Sequence, residues 1–303
     1  MAPKKKKWAA AEAACESAEA SKKQKTAPKE DKPAKTPALK VPEGPIQRSE
    51  TPRTKAAAGC VSALHWNVGG LNSVLTKPDK TELLRLLVAE EKPTLISFSE
   101  HKLSAEKLDM GAKALAAELP GYTSAHWAVC TVKKGYSGVA VFVRDGEEVL
   151  SVRLDDVCDL HEGRSISIEL KDMWVVSVYV PNSGQNLDRL NYRIDTWDPA
   201  LAAHAASLEA SGKPIVLIGD MNVAPLDADI WNYMAKHIPK SAGTTPQERA
   251  SFARLVGEPF GEDGVVPEPY DTTLVDAFRH LHPEARGKSP GFGARGPREQ
   301  CLW

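Results

Sequence analysis

From Val61 onward, short apolar runs rich in Val and Ile alternate with longer segments of helical periodicity, and this alternation restricts the chain to one class of fold. Residues 61–66, 94–98, 138–143, 166–170, 174–180 and 215–219 have the length and composition of strands. Residues 81–91 carry Leu83, Leu84, Leu86, Leu87 and Val88 at helical spacing, and 110–119 and 201–209 follow the same pattern. Thr245-Pro246-Gln247-Glu248-Arg249 combines a Thr cap, a Glu three residues on, and Pro at the first helical position. That chemistry predicts a helix from Pro246 to about Val256. Strands this apolar need cover on both faces, so the class is α/β.

Composition sharpens the division of the chain. Residues 1–58 hold 14 Lys/Arg against 7 Asp/Glu, a balance of +7, while the remainder holds 25 against 33, a balance of -8. The first 58 residues have seven Pro and few large apolar side chains beyond Trp8, Leu39, Val41 and Ile46. Such a segment cannot bury enough surface to offset the entropy of ordering, and disorder is expected there. The run Lys4 to Lys7 suits a nuclear-import signal or a phosphate-seeking arm, with an organellar address as the alternative. No stretch approaches the roughly 18 uninterrupted apolar residues of a membrane span, so no membrane role is expected. The five Cys show no pair at metal-ligand spacing, and Cys60, Cys130 and Cys158 beside strand patterns read as small core residues.

The strand patterns end in a consistent way. Residues 61–66 run into Asn67, 94–98 into Ser99 and Glu100, 174–178 into Tyr179 and then Asn182, and 215–219 into Asp220 and Asn222. Polar groups at strand ends collect in the crevice along one sheet edge, where ligands bind in this class. Each taken singly has an ordinary alternative, since Asn or Asp after a strand caps local backbone in turns and Glu100 suits a solvated loop. Four such endings with oxygen-bearing side chains point to a hard divalent ion such as Mg²⁺, which uses one or two carboxylates plus substrate phosphate.

The wording of these segments extends the reading. His65-Trp66-Asn67-Val68-Gly69-Gly70-Leu71, Ser99-Glu100-His101-Lys102, Gly135-Tyr136-Ser137-Gly138-Val139, Glu162-Gly163-Arg164, Tyr179-Val180-Pro181-Asn182-Ser183-Gly184, Gly219-Asp220-Met221-Asn222-Val223-Ala224, Thr245-Pro246-Gln247-Glu248-Arg249 and Asp276-Ala277-Phe278-Arg279-His280-Leu281 follow one another in order. Over roughly residues 61–283 the chain resembles the exonuclease III class of apurinic/apyrimidinic (AP) endonucleases within the endonuclease/exonuclease/phosphatase superfamily. The resemblance implies a four-layer α/β sandwich of two mixed sheets flanked by helices. It implies a DNA-repair enzyme, a nuclease with 3′-5′ exodeoxyribonuclease capacity, that cleaves double-stranded DNA on the 5′ side of an abasic site. By the same resemblance Glu100 holds Mg²⁺, with Mn²⁺ an alternative, and Asn67, Asp220 and Asn222 surround it. Asp220 orients or deprotonates water, Asn222 stabilises the charged phosphoryl group, Tyr179 acts at the phosphate or leaving oxygen, and Tyr136 and Asn182 contact DNA. A monomer is expected. The other readings are a different metal-dependent phosphoesterase of the superfamily and a DNA-binding remnant without catalysis.

The chain departs from the family pattern at two places. Gly69 stands where the family has Asn or Asp. After Pro283 the family's Trp-Arg-Leu-Asp-Tyr strand and Gly-Ser-Asp-His segment are replaced by a Gly/Pro/Arg-rich stretch from about Ala285. We therefore expect three regions: a tail over 1–58, the family domain over 59–284 incomplete at its C-terminus, and an irregular segment over 285–303. Weak or absent nuclease activity and an unpaired sheet edge follow from that expectation. His280 and His282 are expected as surface or helix-end histidines rather than replacements for the family's His.

Overall fold

The computed structural model describes residues 59–158, 161–230, 233–258 and 268–283. In chain order the elements are β1 (Ala63–Asn67), α1 (Asn72–Leu75), α2 (Pro78–Glu91), β2 (Leu95–Ser99), α3 (Ala105–Ala116), β3 (Ser124–Ala128), β4 (Val139–Val143), β5 (Val149–Leu154), β6 (Ser165–Leu170) and β7 (Trp174–Tyr179). A helical run then passes through a short turn (Leu190–Tyr192) and a π-helical turn (Arg193–Trp197) into α4 (Asp198–Glu209), followed by β8 (Ile215–Asp220), α5 (Pro246–Val256) and α6 (Ala277–Leu281). The expected segments 1–58 and 285–303 lie outside the described residues.

Among the described residues eight strands form two sheets, with orders β1-β2-β4-β3 and β5-β6-β7-β8. Each is mixed: β1 runs parallel to β2 and β7 to β8, and the remaining pairings are antiparallel. The strand sequences are apolar at nearly every position because both faces are covered. In β4, Val139, Val141 and Val143 face the second sheet and pack with Leu95, Ile166, Ile168, Val175 and Ile218. The alternate residues Ala140 and Phe142 face outward with Ile96 and Phe98, against Leu84 and Val88 of α2 and Leu115 of α3. Across the molecule Trp174, Val176 and Val178 of β7 pack on Trp197, Leu201, Leu208 and Leu255. The result is four layers: helix, sheet, sheet, helix. Each fully buried Val, Leu, Ile or Phe contributes roughly 1.5–3 kcal/mol.

The observed elements match the expected class and shift several bounds. The capping box at Thr245 and Glu248 is formed, and α5 occupies the span predicted for it. Helix α2 starts at Pro78, earlier than 81, because Pro fits the first turn. Helix α3 covers Ala105–Ala116 instead of 110–119, with Met110 on its exposed side. Strands β3 and β5 were not anticipated; their burial is partial, so neither shows a continuous apolar run. Cys130 is buried as expected, whereas Cys60 is exposed at the margin of β1 and does not belong to the core. Among the described residues no helix is long and apolar enough to cross a membrane.

Candidate active site

Four strand ends meet at one edge of the two sheets. Asn67 and Asp220 are the last residues of β1 and β8, Tyr179 closes β7, and Glu100 follows β2 directly. Parallel pairing sets them level: Asn67 lies opposite Ser99, and Tyr179 opposite Asp220. Two backbone features allow the approach. Gly219, at φ +146°, packs so tightly that an added Cβ would lie 2.0 Å from the Val178 carbonyl oxygen. Glu100 takes φ +56°, which costs of order 1–3 kcal/mol in a non-glycine residue and persists where surrounding contacts enforce it.

Those contacts are identifiable. Beyond Glu100, the His101 and Lys102 amides donate to the Gly138 and Ser137 carbonyls. His101 is buried, accepts at Nδ1 from the Leu103 amide at 3.0 Å, and so carries its proton on Nε2, which donates to the Ala128 carbonyl at 3.1 Å. Burial holds its imidazole down at about 4, so it stays neutral. His101 is a structural wedge between the two strand ends.

The decisive geometry is at Asn67. Its Nδ2 donates to Glu100 Oε1 at 2.9 Å and to Asp220 Oδ2 at 2.7 Å. Both carboxylates therefore reach a common point, although they come from different sheets. Tyr179 Oη donates to the same Glu100 oxygen at 2.8 Å, and Lys102 Nζ pairs with Oε2 at 2.7 Å. Burial opposes the charge of Glu100, but bonds from Lys102, Asn67 and Tyr179, with the Lys102 charge, outweigh it and hold the carboxyl below the ordinary carboxylate range. The Tyr179 hydroxyl is pushed far up by burial, by the charge of Glu100 and by the bond to it. It remains a proton donor.

Around this pair lie the other expected residues. The Asn222 amide donates to Asp220 Oδ1 at 3.0 Å, while its side chain donates to the Val180 carbonyl at 2.8 Å and accepts from Asn182 at 3.1 Å. Asn222 thus meets Asp220 through its backbone, with its side chain tying the β7 and β8 exits together. Tyr136 sits one step out: Arg164 and Arg189 both donate to its Oη at 2.8 Å, and Glu162 balances the two guanidiniums. Arg164 also donates to the Tyr179 carbonyl at 2.9 Å and stacks over the Tyr179 ring at 4.8 Å, joining this group to the carboxylate pair. His280 and His282 are exposed on or just beyond α6, as expected.

The donor set fits a hard divalent ion. Two carboxylates offer oxygens at one place, whereas Asn67, expected as a ligand, presents Nδ2 there and accepts with its Oδ1 from the Gly69 amide at 3.0 Å; among the described residues no group of three or more His, Cys, Asp or Glu forms a closed metal cage. An ion that needs only one or two protein carboxylates and keeps other positions for water and phosphate matches such a site.

Residues 64–256 match the model of the endonuclease/exonuclease/phosphatase family. The chain belongs to that family. An exodeoxyribonuclease of Bacillus subtilis is 34% identical over 242 residues, covering 79% of this chain and 83% of that protein. The DNA repair nuclease APEX1 of Danio rerio is 34% identical over 254 residues, covering 81% of this chain and 72% of that protein. Among solved structures, an AP endonuclease of Leishmania major superposes with TM-score 0.63 at 27% identity, covering 78% of this chain and 73% of that one. A 3′-5′ exonuclease of Neisseria meningitidis, at 24% identity and TM-score 0.55, shares the fold. These likenesses place the chain in the family's DNA-repair nuclease branch of AP endonucleases and exodeoxyribonucleases.

Several functional residues escaped the sequence reading. Lys102, Arg164, Arg193 and Glu248 stand inside or near the quoted motifs, yet nothing in spacing showed that Lys102 faces Glu100 or that Arg164 bridges two tyrosines. Their partners are 2 to 65 positions away along the chain, so only the folded structure pairs them.

Proposed function

We propose that this chain is a Mg²⁺-dependent AP endonuclease that acts as a monomer on double-stranded DNA and hydrolyses the phosphodiester on the 5′ side of an abasic site, with Mn²⁺ able to substitute. The observation that carries the reading is the Asn67 amide held between Glu100 and Asp220 at 2.9 and 2.7 Å. Glu100 and Asp220 would hold the ion, which supplies charge compensation on the phosphoryl oxygens, and Asn67 would keep the two carboxylates together beside it. In-line attack also needs a proton acceptor for water, and Asp220 is the carboxylate for this, because Lys102, Asn67 and Tyr179 hold Glu100 below the ordinary carboxylate range and make it a poor base that stays ionised for the ion. Tyr179, kept protonated, donates to the phosphate or the leaving oxygen. Asn222 offers its side-chain Nδ2 to the developing charge once that group leaves the Val180 carbonyl, and Asn182 and Tyr136 meet the DNA backbone. An abasic nucleotide costs less to expose than a stacked one, which favours this substrate.

The test is nicking of an abasic-site duplex by the full chain. Asp220→Asn and Glu100→Gln are each expected to lower kcat about 100-fold or more, a size typical of losing one preorganised group. EDTA is expected to abolish turnover and Mg²⁺ to restore it. Equal cleavage by both variants, or turnover indifferent to EDTA, rules the reading out. Nuclear residence is proposed from Lys4 to Lys7, outside the described residues, and is checked by replacing those lysines with alanine in a fluorescent fusion.

A further inference from the structure

Beneath the site lies a buried ion pair that the chemistry above does not use. Glu248, in the first turn of α5, is 0% exposed, and Arg193, in the π-helical turn, is 2% exposed. They meet at 3.1 Å. A buried pair is costly to desolvate and gives little net stability unless its remaining donors and acceptors are satisfied. Here three loops satisfy them, except for Arg193 Nε, which makes no hydrogen bond and has only the Asp198 carboxylate nearby.

Glu248 Oε1 accepts from Ser183 Oγ at 2.6 Å, on the loop that carries Asn182. Its Oε2 accepts from the Gly243 amide at 2.8 Å and from Thr245 Oγ1 at 2.7 Å. Arg193 Nη2 donates to the Met221 carbonyl at 2.8 Å, and Nη1 to the Asn222 carbonyl at 2.5 Å. The last two contacts matter most. Those carbonyls belong to the two peptide planes that flank the Asn222 Cα, so one rigid guanidinium fixes both of its backbone dihedrals. Asn222 needs such a constraint, because it sits at φ +48°, a conformation few non-glycine residues hold unaided. Gly243 closes the cradle from the far side, where an added Cβ would come within 3.0 Å of the Asn222 carbonyl oxygen.

We infer that Arg193 and Glu248 are a positioning pair: the guanidinium locks the Asp220–Asn222 turn in its reactive geometry, and the carboxylate couples that lock to the Asn182 loop. Neither touches the substrate. A planar two-pronged donor is required, and a lysine ammonium cannot hold both carbonyls in their observed directions. Arg193 is the first residue of the π-helical turn, a departure from α-helical geometry that is frequent at functional sites. The Nε atom faces Asp198 at 3.8 Å, adding a second carboxylate behind the pair.

This inference rests on the reading of Asp220 and Asn222 as reacting groups, so the test separates the two. Full-length Arg193→Lys is compared with Leu115→Ala, which disturbs the buried helix face of α3 away from the site. At a temperature where both remain folded, Arg193→Lys is expected to lose about 100-fold in kcat on the abasic duplex with KM within about threefold, the pattern of a misplaced reacting group. Leu115→Ala is expected to keep both constants. The Asn222 amide signal in NMR is expected to split or broaden in Arg193→Lys and to stay single in Leu115→Ala. Wild-type kcat with a single Asn222 signal in Arg193→Lys overturns the inference. If the unaltered chain does not cleave at all, the functional reading fails, and the Asn222 signal alone decides on positioning. Should Arg193→Lys not fold, Ser183→Ala takes its place. It removes one donor and no charge, and an increase in KM of about tenfold is expected; an unchanged KM counts against the coupling.

Discussion

Two buried tyrosines show how one residue type is put to different uses. The Tyr179 hydroxyl donates to a carboxylate at the site, whereas that of Tyr122 donates to the Pro93 carbonyl at 2.6 Å, on the far side of the first sheet's core. Burial pushes the Tyr122 hydroxyl from 10.0 up to about 12, against the opposing charge of Arg144. The neutral phenol is the favoured folded form. Its contribution to stability is therefore fully present below pH 10 and is lost as pH rises from 10 to about 12. Urea unfolding across that range is expected to show the loss, and Tyr122→Phe is expected to remove that part of the slope. At neutral pH the same change should cost about 1 kcal/mol, because the Pro93 carbonyl loses its donor. An alkaline slope unchanged in the phenylalanine variant would exclude Tyr122 as its source.

Helix α5 is the element whose local chemistry is most completely determined. Thr245 accepts at Oγ1 from the Glu248 amide at 3.2 Å, Glu248 returns a bond to the Thr245 amide, and Gly257 ends the helix at φ +65°. Thr245→Ala removes one half of this exchange and a donor to the buried Glu248 carboxylate. The expected loss is about 1–2 kcal/mol, read as a melting temperature several degrees lower in calorimetry. A shift below about 1 °C would mean that Glu248 alone holds the turn. Strands β3 and β5 are the opposite case. Val149–Leu154 is exposed or half-buried along its length and carries a bulge between Val149 and Ser151, so its pairing with β6 depends on a neighbour that no local pattern announces.

At the scale of the molecule, the two sheets hold the site by facing each other. Asn67 and Glu100 come from one sheet and Tyr179 and Asp220 from the other, so the distance between the carboxylates is set by the core between the sheets. Ile168 lies in that core, 1% exposed. Ile168→Ala is expected to cost about 2–5 kcal/mol in chemical denaturation through lost burial and a residual cavity. A cost under about 1 kcal/mol would show that the intersheet layer relaxes freely. Strand β8, which carries Asp220, is at the end of its sheet among the described residues, with Val216 partly exposed, so the support of the site is weighted toward β7 and the helices behind it.

The sequence alone determined the α/β class, the core strands, the α5 cap and the set of oxygen-bearing residues at strand ends, because each is written in contiguous residues: apolar runs, a Thr-Pro-x-Glu start, a polar residue after the last Val or Ile. It carried no sign that Lys102 would pair with Glu100, that the Asn222 side chain would tie Val180 to Asn182, or that one guanidinium would hold both peptide planes flanking the Asn222 Cα. Those contacts were decided by tertiary structure, since they join groups that become neighbours only when two separately twisted sheets pack face to face and bring their strand ends to one edge.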